Sequence, residues 1–222
     1  MPRPLALLFD LDGTLIDSVG LILESVRHAF SSIGRTPPTD AQWIAGIGTP
    51  LVTQLREFAR DDTEVAELVS GYRRYQREHH DRLTRTFPQV VPTLLALRDA
   101  GHPTAIVTSK AEDIARRSVA HTGLAPFIDT VVGIESCTRH KPDPEPVHVA
   151  LARLGADPAH AIFVGDSPHD VASGNAAGVA TVAALWGPFT RETLTLARPA
   201  HWLERFEELP ALVRSLEPRH AA

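Results

Sequence analysis

The chain has 222 residues, 43% of them hydrophobic and 22% charged, enough for one ample core or a core carrying a smaller subdomain and too apolar for long disorder. A net charge of -5 and a pI near 6.1 leave no basic face for nucleic acid. Cys137 is the single cysteine, which rules out an intrachain disulfide, and no charged leader or membrane-length apolar run is visible, so a cytoplasmic protein is expected.

Leu5 to Phe9 is an unbroken apolar run, the pattern of a strand buried on both faces, and it ends in Asp10-Leu11-Asp12-Gly13-Thr14. In an open α/β sheet the ligand crevice lies beyond the carboxyl ends of the strands, which is where Asp10 and Asp12 would stand. Two residues is the strand period, so both side chains can be directed into one site.

From Leu15 to about Arg85 the pattern is helical. Leu21, Ile22, Ser25, Val26, Ala29, Phe30 and Ile33 form one stripe, opened by Asp17 or Ser18 as a cap and stopped at Gly34. Thr36-Pro37-Pro38-Thr39 breaks the chain before a short segment around Trp43 and Ile44. Thr49-Pro50 opens a helix with Leu51, Leu55 and Phe58, and a last one carries Val65, Leu68, Val69, Tyr72 and Tyr75. Four helical segments with no strand between them predict a helical subdomain over residues 15–85, inserted after the first strand.

Beyond Thr86-Phe87-Pro88 strands and helices alternate, the signature of a parallel sheet. Helices are expected at Val90–Ala100, Ala111–His121, Pro144–Leu154 and Pro168–Ala177. Strands are expected at Thr104–Val107, Thr130–Val132, Ala161–Val164 and Val179–Ala183, with a terminal helix and a frayed Arg219–Ala222 at the end. The fold class is therefore α/β, a Rossmann-like parallel-sheet core formed by residues 1–14 and 86–222.

Three further segments carry chemistry, two of them strand ends and one a proline-held loop. Ile106-Val107 runs into Thr108-Ser109-Lys110, a hydroxyl pair that by itself reads as a helix N-cap. In Arg139-His140-Lys141-Pro142-Asp143-Pro144 the prolines hold the backbone out of a helix and fix one ammonium in place. Phe163-Val164 leads into Gly165-Asp166-Ser167-Pro168-His169-Asp170, where Pro168 starts a helix and puts Asp170 in its first turn. Only Lys110 and Lys141 among the 22 basic residues are lysines, and both fall in these segments. Asp10, Asp12, Asp166 and Asp170 gather four carboxylates at one crevice, and two unit charges about 4 Å apart repel by roughly 4 kcal/mol at an effective dielectric near 20. Such a cluster needs a cation, and hard carboxylate oxygens suit one such as Mg2+. The histidines, His79, His80 and His169 included, are expected on a solvated face rather than in a metal set.

The stretch Asp10-Leu11-Asp12-Gly13-Thr14-Leu15-Ile16-Asp17-Ser18, followed in order by the Thr108, Lys141 and Asp166 segments, resembles the four motifs of the haloacid dehalogenase superfamily, most of whose members are phosphatases. The resemblance implies that Asp10 is the nucleophile and becomes an aspartyl phosphate, and that Asp12 is the general acid and then the base. It also implies that Thr108 and the N–H groups after it hold a phosphoryl oxygen, and that Lys141 neutralises nucleophile and phosphate. Mg2+ would be held by the Asp10 side chain, the Asp12 carbonyl and Asp166, with Asp170 a direct or indirect ligand. The helical insert would be a cap over the site. Lys110, one residue past the usual phosphate contact, is expected to be exposed.

Within the superfamily, Asp12 argues against the dehalogenase branch, whose halide leaving group needs no proton. Residues 15–85 hold no lysine for the Schiff base of the phosphonatase branch. Gly46-Ile47-Gly48-Thr49-Pro50-Leu51 and Leu185-Trp186-Gly187 resemble stretches of the phosphoglycolate phosphatases and their pyrophosphatase relatives, though the first also reads as a plain helix connection. A small phosphorylated metabolite is the expected substrate, met on the cap side by Gly48 and, on charge and nearness in sequence, by Arg56 or another cap arginine. A β-phosphoglucomutase-type phosphotransferase shares all four motifs, and a non-catalytic regulator would be expected to have lost one of the acids, none of which is missing.

Overall fold

The computed structural model describes residues 4–217, so the expected fraying of Arg219–Ala222 lies outside the described residues. The chain opens with β1 (Ala6–Phe9) and β2 (Ile16–Asp17), followed by four helices, α1 (Val19–Ser32), α2 (Asp40–Ile44), α3 (Leu51–Arg56) and α4 (Asp62–Leu83). Then come β3 (Arg85–Thr86), α5 (Val90–Asp99), β4 (Thr104–Val107), α6 (Glu112–His121), β5 (Thr130–Val132), α7 (Glu145–Leu154), β6 (Ala161–Gly165) and α8 (Pro168–Ala177). The chain continues through β7 (Ala180–Ala184), α9 (Arg191–Leu196), β8 (His201–Leu203) and α10 (Leu209–Leu216).

Six of the strands form one parallel sheet in the order β5-β4-β1-β6-β7-β8. β1 is central, pairing Leu7 with Thr104 on one side and with Ile162 on the other, so its backbone is saturated and its two faces are both covered. Leu7 and Phe9 belong to one apolar layer with Val90, Leu94, Phe206 and Val213, while Ala6 and Leu8 belong to the opposite layer with Val147, Leu151 and Phe163. That two-sided burial is why the strand reads as a continuous apolar run instead of an alternating one.

The order of strands reverses at β1, which sends one crossover each way and leaves a crevice at the carboxyl ends of β1, β4 and β6. The four helices after β1 pack over that end. Ile22, Val26, Phe30, Trp43, Leu55, Leu68 and Tyr72 make a third apolar cluster, which reaches Ala183 of β7, Phe189 of the loop after it and Leu194 of α9. Where the chain leaves and rejoins the sheet, β2 and β3 form a two-stranded antiparallel ladder, Ile16 opposite Thr86 and Asp17 opposite Arg85. This ladder and β8 are absent from the sequence expectation. Both are short, and His201-Trp202-Leu203 is an edge strand with only Leu203 fully buried, so neither has a pattern long enough to read.

Candidate active site

Each strand pointing at the crevice delivers one functional group just past its last rung. The N–H of Asp10 still donates to the Val164 carbonyl at 2.9 Å, and that of Thr108 to the Val132 carbonyl at 3.0 Å, so both residues are held by the sheet ladder itself. Gly13 then turns the chain at φ +87°, and a Cβ there would stand 2.5 Å from Asp166 Oδ2; only glycine lets the turn pass this close. Trp186 Nε1 donates to the Thr14 carbonyl at 2.9 Å and pins the same turn from the other side.

Lys141 lies at the centre. Its ammonium donates to Asp10 Oδ1 at 2.8 Å, to Asp170 Oδ1 at 2.6 Å and to the Val107 carbonyl at 3.1 Å, with 3% of the residue exposed. Burial alone would discharge such a lysine, but the Asp10 and Asp170 carboxylates outweigh it and keep the ammonium proton more tightly held than usual. Asp170 spends its other oxygen on Ser167, accepting from its N–H at 3.0 Å and its hydroxyl at 2.6 Å in a capping box at the start of α8.

Asp166 accepts one hydrogen bond, from the Thr14 hydroxyl to Oδ1 at 2.6 Å, while its Oδ2 is buried with no donor among the described residues. Burial, then the charges of Asp10 and Asp170, push its proton affinity well above the ordinary carboxylate range. Asp10 is pushed up to about 7, first by burial and then by Asp170 and Asp12, against the pull of Lys141. Asp10, Asp166 and Asp170 can bring one oxygen each within 4.8 Å of one another. Three buried carboxylates around one lysine, one of them with an orphaned oxygen, are short of positive charge. Hard oxygen donors in that arrangement fit a divalent cation such as Mg2+.

Asp12 sits at the edge of this cluster. Its Oδ1 accepts from the Ser18 hydroxyl at 2.5 Å and from the Lys110 ammonium at 2.6 Å. Lys110 is therefore not exposed as expected: 9% of its side chain is accessible, because Asp12 draws it inward. Both lysines of the chain are thus bound to carboxylates at the crevice, Lys141 to Asp10 and Asp170 and, against expectation, Lys110 to Asp12. His80 also departs from expectation, being 1% exposed with Nε2 on Ser118 Oγ and Nδ1 on Asp81, both at 2.7 Å, and His169 is half-buried. Ser18 was expected as a helix cap, and it does stand at that position, but its hydroxyl goes to Asp12 instead of the helix; Thr14, which holds Asp166, carried no signal beyond its place after Gly13.

A cleft of about 140 Å³ opens from Asp10 and Asp12 toward the helices, walled by Thr108, Ser109 and Lys110 below and by Trp43, Gly48 and Tyr72 above. Gly48 is part of this wall. Its φ is +102°, a Cβ would lie 2.8 Å from Ser167 Oγ, and its carbonyl accepts from the Ser109 hydroxyl at 2.5 Å. Arg56 is not on the wall: its side chain is 61% exposed and turned to Asp62, 3.4 Å away. Arg73 of α4 lines the cleft instead.

The profile of the family described as haloacid dehalogenase-like hydrolase matches residues 7–184. The pyrophosphatase PpaX of Bacillus velezensis is 39% identical over 209 residues, 93% of this chain and 95% of the relative, and that of Bacillus pumilus is 36% identical over 206 residues, 93% and 94%. Among solved structures, a haloacid dehalogenase-like family hydrolase from Streptococcus pneumoniae aligns with a TM-score of 0.82 at 27% identity, covering 94% of this chain and 98% of its own. A "predicted phosphoglycolate phosphatase" from Haemophilus somnus shares the fold with a TM-score of 0.86 at 22% identity, covering 96% and 99%. With the family match spanning most of the chain, and relatives at 36–39% identity covering nearly all of it, this protein is an enzyme of the haloacid dehalogenase-like hydrolase family.

Proposed function

We propose that the protein is a Mg2+-dependent phosphatase that hydrolyses a small phosphorylated metabolite through an aspartyl phosphate on Asp10. The observation that carries this reading is the position of Asp10, fixed by the central strand, paired with Lys141 and open to a cleft that also holds Asp12. A carboxylate nucleophile divides hydrolysis into two displacements. In the first, a carboxylate oxygen of Asp10 bonds to phosphorus while the bond to the leaving oxygen breaks and Asp12 supplies that oxygen with a proton. In the second, Asp12 takes a proton from water as the water oxygen attacks phosphorus, which restores Asp10 and releases phosphate. Lys141 spreads the negative charge of nucleophile and phosphoryl oxygens. The Thr108 hydroxyl, held at the end of β4 and accepting from the Lys110 N–H at 3.2 Å, is placed with the Ser109 N–H to receive a phosphoryl oxygen.

Mg2+ would be held by the carboxylates of Asp10 and Asp166, the latter having the buried oxygen without a donor, and by the Asp12 carbonyl that the family resemblance implies. Asp170 has both oxygens committed to Lys141 and Ser167, which supports an indirect role for it. When bound, the ion offsets the carboxylate repulsion and polarises the phosphoryl group. We read residues 15–85 as the cap: the α1–α4 layer covers the crevice, and the Gly48 loop meets Ser109 and the neighbourhood of Ser167. Pyrophosphate ranks first among substrates because the relatives matched over nearly the whole chain are named pyrophosphatase, and phosphoglycolate follows.

Phosphate release with Mg2+ across pyrophosphate, phosphoglycolate, sugar phosphates including β-glucose 1-phosphate, and nucleotides tests this, with Asp10→Asn alongside. Turnover of one or two small compounds by the parent, with Asp10→Asn inactive, is the expected outcome. Release that persists in Asp10→Asn would remove Asp10 as nucleophile, and isomerisation of β-glucose 1-phosphate without net release would favour the mutase.

A further inference from the structure

α4 closes the helical insert, and its last turns lie against α6 of the sheet layer. The meeting is polar. His80 of α4 sets its Nε2 2.7 Å from the Ser118 hydroxyl of α6 and its Nδ1 2.7 Å from Asp81 Oδ1. Arg117 of α6 reaches back, donating to Asp81 at 3.0 Å and to the Arg77 carbonyl at 3.4 Å. His80 and Ser118 are both buried, yet His80 lines a cavity of about 300 Å³ between the two helices, so a proton has a route to the ring.

The Ser118 hydroxyl has one proton and two acceptors in reach, since it also stands 3.0 Å from the Ile114 carbonyl. The Asp81 carboxylate only accepts, so Nδ1 of His80 keeps its proton throughout. With the imidazole neutral, Nε2 accepts from Ser118. With the ring charged, Nε2 donates to Ser118 Oγ, whose own proton turns to Ile114. Both ring nitrogens are therefore satisfied in either state, and what changes is the charge between the helices. Burial pushes the proton affinity of His80 below the ordinary imidazole range; Asp81 opposes this through its hydrogen bond, and Lys110 and Arg117 add to the push. Asp81 is shared with Arg117 and with His121, whose Nδ1 is 3.9 Å away. The other charged groups around the cavity, Arg73 and Arg77 on α4, Asp113 on α6 and Glu135 beyond β5, are two of each sign and largely offset one another. Parting the helices would return the ring to water, so the second proton binds the parted form better and draws the equilibrium toward it.

We infer that the His80–Ser118 contact is a proton-sensitive clasp, which holds the helical insert against the sheet layer at neutral pH and slackens when the imidazole gains its second proton. Only its kinetic consequence rests on the phosphatase reading: the insert walls the cleft, so a slackened insert raises KM. A ring released to water titrates near its ordinary value of about 6.5, so at pH 5.5 the parted form gains at most about tenfold over pH 7.5.

The test compares the parent with His80→Gln, whose amide stays neutral at every pH, and with Ser118→Ala, which removes the bond and keeps the imidazole. NMR of the ring nitrogens, with His80 assigned by its loss in His80→Gln, should show a neutral ring protonated on Nδ1 that titrates below about 6.5. Amide hydrogen exchange, corrected for intrinsic rates, should show the end of α4 and its facing turns of α6 losing protection by up to about tenfold between pH 7.5 and 5.5 in the parent and not in His80→Gln. Ser118→Ala should show the weaker protection already at pH 7.5. KM for a small phosphate that the parent hydrolyses should rise over the same interval by about 3- to 10-fold more in the parent than in His80→Gln, the titration of substrate and of Asp10 being common to both. A neutral ring protonated on Nε2, a ring that titrates at or above its ordinary value, or equal pH dependence of exchange or of KM in parent and His80→Gln overturns the clasp. A parent that hydrolyses none of the small phosphates overturns the phosphatase reading alone, and the ring titration and exchange then decide the clasp.

Discussion

Asp166 carries the clearest electrostatic tension in the molecule, a buried carboxyl with one oxygen unsatisfied and two other carboxyls beside it. Asp166→Asn removes the charge and keeps the Thr14 contact. Differential scanning calorimetry of the metal-free variant should show a higher Tm than the parent, by about 2–4 °C for each kcal/mol relieved. The same variant should lose phosphate release, because the orphaned oxygen is the one a cation needs. The raised proton affinities of Asp10 and Asp166 fix the sign of a pH effect as well. Between about 4 and 7 the folded chain keeps protons that the unfolded chain gives up, so folding stability declines as pH rises through that window. The metal-free protein should therefore melt at lower temperature at pH 8 than at pH 5.5, and millimolar Mg2+ should narrow or reverse the gap. A third expectation concerns Lys110, whose ammonium holds Asp12 in place. Lys110→Met leaves that carboxylate to Ser18 alone, and steady-state kinetics should show kcat reduced about 10- to 100-fold, the size of a misplaced acid–base group.

At the scale of elements, the meeting of the Gly48 loop with the ends of β4 and β6 is the junction most open to a clean test. Gly48→Ala forces a left-handed backbone on alanine and presses a methyl group against Ser167 Oγ, so the loop must back away from the crevice. KM should rise by about tenfold or more, since the displaced loop is the one that walls the cleft. The strands that frame the crevice were legible in sequence because each is an apolar run buried on both sides and ended by a polar cluster. β8 was not, since it is three residues long at the sheet edge and makes sense only once β7 is beside it. The site divides the same way. Asp10, Asp12, Thr108, Asp166 and Asp170 follow strand ends, and Lys141 sits between prolines that fix its loop, so all six stood out in the sequence. Lys110 and Arg73 depend on where a long side chain turns in three dimensions, Arg56 being carried to Asp62 at the end of α3 instead.

For the whole molecule, the crevice couples folding to ion binding. A cation that binds the folded carboxylates and not the unfolded chain stabilises by mass action, about 2.7 kcal/mol at a hundred times its Kd. A thermal shift that grows with the logarithm of Mg2+ concentration, and disappears in Asp10→Asn/Asp166→Asn, is the expected result. The two-rung ladder of β2 and β3 has a separate implication. It sets the departure and return of the helical insert side by side, about one strand spacing of 4.8 Å apart. The ends of the insert are thus joined locally, and an insert of a different length adds only about 0.6 kcal/mol of closure entropy per doubling. The segment between the rungs has the geometry of a cassette: on the proposed function, chimeras cut at Ile16 and Thr86 that trade inserts between relatives should keep the phosphoryl chemistry in the sheet and carry the choice of leaving group with the graft, which substrate profiles of the chimeras check.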